Sequence, residues 1–112
     1  MDIQDVAINI KNYAKETEQE CDDAMLSIII DSYNISDQVA SIVSQNVYNF
    51  AVYEANNILK VAARKKYTKD ILIDIILLAA EKAKEAEENL DEYFRNLVVI
   101  DHILCYIDRH EL

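Results

Sequence analysis

Within RNLVVIDH, residues 95–102, an arginine and a histidine stand seven positions apart. On a helix that spacing is about two turns, so both side chains emerge on one face. An arginine and a titratable imidazole on one face are residue types that acid–base chemistry uses. The plainer reading makes Arg95 a surface arginine and His102 a partly packed histidine. Other catalytic chemistry finds few carriers. Val99 and Ile107, not glutamates, stand three residues before His102 and His110, so the Glu-x-x-His pattern of carboxylate-bridged metal bundles is missing. Cys21 and Cys105 form no CxxC pair, which argues against a zinc module or a disulfide framework. A site built from His102, Cys105 and the distant Cys21 is conceivable, but two inert, packed thiols are the simpler reading. The residues point to no metal, no cofactor and no small-molecule substrate.

A second kind of chemistry lies in the charge pattern. The formal net charge is −10, yet the stretch KVAARKKYTK carries Lys60, Arg64, Lys65, Lys66 and Lys69 without an acid among them. Cations near a helix C-terminus offset the helix dipole, which alone explains such a run. The functional reading is a small-anion or phosphate contact on a connecting loop, and five cations between acidic flanks are a weak signal for nucleic acid. The acids gather instead in residues 1–23 and 81–112, and residues 24–80 are balanced. The Glu-rich segment 81–92 reads as a solvated helix face. Alternatively it imitates a phosphate backbone, as in a small acidic helical protein, of the kind viruses encode, that binds and blocks another protein.

The elements that must position these residues are helices. The 112 residues contain no Gly and no Pro, so turns that need a positive φ or a fixed proline φ have no preferred residue. At 52% hydrophobic content the chain is too apolar to stay disordered. One all-α domain, 1–112, is expected. A first helix covers 3–20 with Ile3, Val6, Ile10 and Tyr13 on one stripe, and a short second helix covers about 23–32. Ser36 is the expected N-cap of a long third helix reaching Ala63, apolar on more than one face. Thr68 restarts a helix that is apolar nearly all round through Ala80, and AEKAKEAEEN continues it outward into solvent. A bend near Asn89 then leads into a final amphipathic helix. No apolar run has the length of a membrane span, and the charged start is unlike a leader, so an intracellular protein is expected, nuclear if eukaryotic.

The order of short helix, long helix, basic loop and short helix resembles the histone fold. NIS at 34–36, Ser41, Ser44, Phe50, Tyr53 and the DI at 74–75 are similar to the corresponding places in the small histone-fold subunits of DNA polymerase epsilon and chromatin-accessibility complexes. EANNI at 54–58 resembles the CCAAT-binding and TBP-repressor subunits. From Ile35 to Ala80 the correspondence with archaeal histones runs without a gap, and Asp74 falls at the third-helix aspartate. Where the family has an arginine seven residues before this aspartate, clamping the second loop, the chain has Tyr67, so the clamp is lost or is made by Arg64, Lys66 or Lys69. Lys69 stands at the loop threonine, beside Thr68, and the first loop is several residues shorter.

The resemblance implies a histone-fold-like core at 24–80, an N-terminal helix at 1–22 and a C-terminal helical extension at 81–112. It implies a non-catalytic dimerisation subunit of a DNA-associated complex, paired with a copy of itself or with another histone-fold-like chain. Val39, Ile42, Val43, Val47, Phe50, Ile58, Val61, Ile73 and Leu77 would form the shared interface. The enzyme alternative rests on RNLVVIDH, which resembles the arginine-spacer-histidine signature of HEPN ribonucleases, with Arg95 on the scissile phosphate and His102 as acid or base.

Overall fold

The computed structural model describes residues 2–35, 43–86 and 88–112. Helices there run over Ile3–Glu16 (α1), Asp23–Ser32 (α2), Gln45–Lys65 (α3), Lys69–Glu85 (α4) and Leu90–Arg109 (α5), with no strand among the described residues. None of these helices is long and apolar enough to cross a membrane.

Side-chain caps define the starts. Asp2, Asp22, Ser44, Thr68 and Asn89 each accept from a backbone N–H in the first turn of the helix that follows, satisfying donors that have no partner within the helix. Thr68 restarts a helix and Asn89 separates α4 from α5, as the sequence predicts. The start of the long helix differs. Ser44 is extended (φ −65°, ψ 153°) and its Oγ accepts from Val47 N at 3.3 Å, so α3 begins there and is shorter than a helix capped by Ser36. Ser36, Val39 and Ile42 lie outside the described residues.

The ends are set without glycine. Lys66 takes a left-handed conformation (φ 54°, ψ 52°), and the N–H of Tyr67 donates to Ala62 O at 2.9 Å, closing α3 in a Schellman-type turn. Glu18, also left-handed at φ 58°, follows α1 in the same way, with Gln19 N donating to Ala14 O at 2.8 Å.

One apolar cluster joins all five helices: Ile10 and Ala14 of α1, Met25 and Ile29 of α2, Ala51, Ala55 and Ala62 of α3, Leu72, Ile76 and Ala80 of α4, and Val98, Ile100, Ile103 and Leu104 of α5. The C-terminal helix α5 is its axis, packing on α3, α4 and α2, while α2 also packs on α4 and α1 packs on α2. Residues 81–112, expected as an extension, thus share the apolar cluster of residues 24–80. The segment after Ala80 also stays on the body, because Ala83 is buried and Lys84 pairs with Asp22, and with Glu20 at 3.5 Å.

The long helix faces this axis with alanines. Ala51, Ala55 and Ala62 fall on one stripe and are buried, and their small side chains let the α3 backbone come close to α5. The larger Val47, Ile58 and Val61 sit at the margins, half-buried. The helix α4 also packs on α5, and α3 and α4 meet each other only weakly.

Candidate interaction face

Two helices that share a support but hardly touch leave a trough between them. At the end near the 66–68 turn it is a depression of about 420 Å³ lined by Asn57, Ile58, Val61, Tyr67 and Ile75. The adjoining hollow, about 230 Å³, shares Ile58 and Ile75 and continues past Leu78 and Ala79 to Glu54, Lys82 and Arg95, with Val99 of α5 in its wall. Leu78 in its wall is 52% exposed, and the same two helices carry further exposed apolar side chains in Phe50 (50%), Tyr53 (63%) and Ile71 (41%).

Arg95 closes the far end of the trough. Its Nε donates to Glu54 Oε1 at 2.9 Å, Nη2 lies 2.8 Å from the same oxygen, and Nη1 donates to Glu92 Oε2 at 3.0 Å. Its guanidinium carbon sits 5.0 Å from the centre of the Phe50 ring, within cation–π range. The side chain is therefore spent on joining α5 to α3.

His102 lies elsewhere. Its Nδ1 is 2.9 Å from the Val98 carbonyl oxygen, one turn back on α5. It borders a different hollow, with Tyr33, Asp101, Cys105, Asp108 and Arg109. Arg95 and His102 share a helix but line separate hollows. In the second hollow Cys105 Sγ donates to Asp101 Oδ1 at 3.8 Å. Burial pushes the Cys105 thiol up, and the neighbouring Asp101 carboxylate adds to that shift. Burial likewise raises Asp101 and Cys21. A thiol shifted upward carries less of the nucleophilic thiolate at neutral pH. Cys21 is not part of this hollow, and no group of three potential metal ligands gathers among the described residues.

The interface residues expected from sequence divide into three sets. Phe50, Val47, Ile58 and Val61 keep exposed or half-exposed surface. Val43, Ile73 and Leu77 are buried inside the chain's own core. Val39 and Ile42 lie outside the described residues. The cations Lys60, Arg64, Lys65, Lys66 and Lys69 are all exposed, and none forms an ion pair among the described residues.

Asp74, the position matched to the family's clamped aspartate, is engaged from an unexpected side. Its Oδ1 accepts from the Tyr13 hydroxyl at 2.7 Å and from Gln19 Nε2 at 2.8 Å. The hydrogen bond to Asp74, with burial and the charges of Asp74 and Asp70, pushes the Tyr13 hydroxyl up to about 12. The aspartate thus ties α1 to α4 and takes no cation from the 64–69 turn. The sequence reading had Tyr13 on the apolar stripe and missed this role. The pairing joins residues far apart in the chain, and no local pattern announces it.

No family model, curated protein or solved structure matches this chain.

Proposed function

We propose that this chain is a non-catalytic interaction subunit that pairs with a second chain of its own kind, in the simplest form a copy of itself, through the open face of α3 and α4. The carrying observation is the apolar trough between those helices, floored by Ile58 and Ile75, with the exposed side chains of Phe50, Ile71 and Leu78 on the same two helices. Apolar surface gathered in one patch marks interaction sites far better than the same side chains scattered singly.

The order α2, α3, α4, with the restart at Thr68, supports a histone-fold-like arrangement. It departs from that arrangement in packing, since α2 packs on α4 and α5, α3 and α4 meet only weakly, and α5 covers the alanine face of α3, which leaves the Phe50, Ile58 and Val61 side for pairing. Membership of a DNA-associated complex rests on the resemblance, and the exposed cations of 60–69 are its local support. A non-catalytic role agrees with the engagement of Arg95 by two carboxylates and with the distance in the fold between its hollow and that of His102.

Light scattering at micromolar concentration tests the pairing. The wild type is expected at the mass of a dimer, and Leu78→Glu, at an exposed position, as a monomer with unchanged helicity. A compact wild-type monomer overturns the reading.

A further inference from the structure

The helix α4 carries an exposed apolar ridge with a charge of opposite sign at each end. Ile71, Ile75 and Leu78 follow one another at four and three positions, so they form one outward stripe. Ile71 and Leu78 are exposed and Ile75 is half-buried. Before the ridge lies the stretch 60–69, whose cations are exposed and form no ion pair among the described residues. Beyond it lie Glu81, Glu85, Glu88 and Asp91, all exposed and in no ion pair among the described residues. Lys82 stands among these acids and Lys84 is held by Asp22 and Glu20, so that end stays acidic. The 17 residues of α4 separate the two ends by about 25 Å, well beyond the screening length of about 8 Å at physiological salt.

We infer that the second chain is another copy, docked antiparallel along α4, with Ile75 packed near its equivalent at the twofold axis, Ile71 of each copy against Leu78 of the other, and the cations near Lys65 and Lys66 of each copy set against Glu81 and Glu85 of the other. The inference rests on the pairing proposed above and adds its occupant and direction. A parallel arrangement would bring like charges together at both ends. An antiparallel one satisfies both ends by a single twofold axis, in which each contact occurs twice. Two chains of net charge −10 repel overall, so association needs this local complementarity to hold the apolar ridges together.

Charge reversal in two variants tests the arrangement. Lys65→Glu/Lys66→Glu makes both ends acidic, and Glu81→Lys/Glu85→Lys makes both basic. Each alone is expected to dimerise about tenfold or more weakly than wild type in sedimentation equilibrium, equivalent to about 1.4 kcal/mol. Their equimolar mixture is expected to form a heterodimer near wild-type affinity, and added salt to weaken wild type and mixture alike. Circular dichroism establishes that both variants are folded. If either variant keeps the wild-type constant, or the mixture fails to associate, the antiparallel arrangement is wrong. In that case loss of the dimer in Leu78→Glu still supports pairing through the trough, whereas a monomeric wild type removes both. Duplex DNA binding that is lost in Lys65→Glu/Lys66→Glu while the dimer persists would assign the cations to nucleic acid and overturn the inference.

Discussion

Arg95 places two of its nitrogens on one carboxylate oxygen of Glu54, Nε at 2.9 Å and Nη2 at 2.8 Å. The two residues belong to α5 and α3, and the Phe50 ring sits over the same guanidinium. The bridge is the polar counterpart of the alanine contact between those helices. Alanine burial draws α3 onto α5, and the arginine fixes its position at the trough end.

A double-mutant cycle on Arg95→Met and Glu54→Gln measures this bridge. Both side chains are about a third exposed (32% and 36%), so solvent screens the pair and the coupling is expected at about 1 kcal/mol. Urea denaturation of the four proteins gives the value. Zero coupling would mean that the contact holds nothing together.

Ala55→Leu examines the close approach of α3 to α5. Ala55 is fully buried, and in a close-packed interior three more carbons force the helix or its neighbours to move. The expected loss is about 2 kcal/mol, the usual scale of overpacking, read as a lower denaturant midpoint. An unchanged midpoint would show that the interface is loosely packed.

The Tyr13 contact gives the protein an alkaline limit. The folded value, about 12, lies above the ordinary tyrosine value near 10. The hydroxyl's contribution is therefore complete below about pH 10 and is lost as pH rises through about 12. The melting temperature of the wild type is expected to fall across that window by more than that of Tyr13→Phe, which lacks the ionising group. Parallel curves would exclude Tyr13 as the cause.

Much of this architecture is legible in the residues themselves. The absence of Gly and Pro, the Thr68 restart and the Asn89 break are local signals, and each is decided within one or two turns of helix. The inward face of α3 is harder, because alanine serves both as a helix former and as a buried residue. Valine and phenylalanine draw attention to the wrong stripe. Ser36 reads as the cap of the long helix, whereas the described helix starts at Ser44, whose extended backbone and side-chain hydrogen bond mark the cap. Asp74 with Tyr13, and Arg95 with Glu54, join residues distant in the chain, and nothing in either local segment specifies its partner. The cations of 60–69 are plain in the sequence, but their position beside an apolar trough is a product of packing.

The left-handed Lys66 has a consequence for how this turn is optimised. Glycine would take that backbone conformation with less strain, and the difference for a side-chain-bearing residue is about 1 kcal/mol. The chain keeps a lysine there, at the tip between α3 and α4. Glu18 and Glu111 take the same backbone region, so a chain without glycine accepts this cost at more than one of its described turns, and each of these turns carries a charged side chain outward instead.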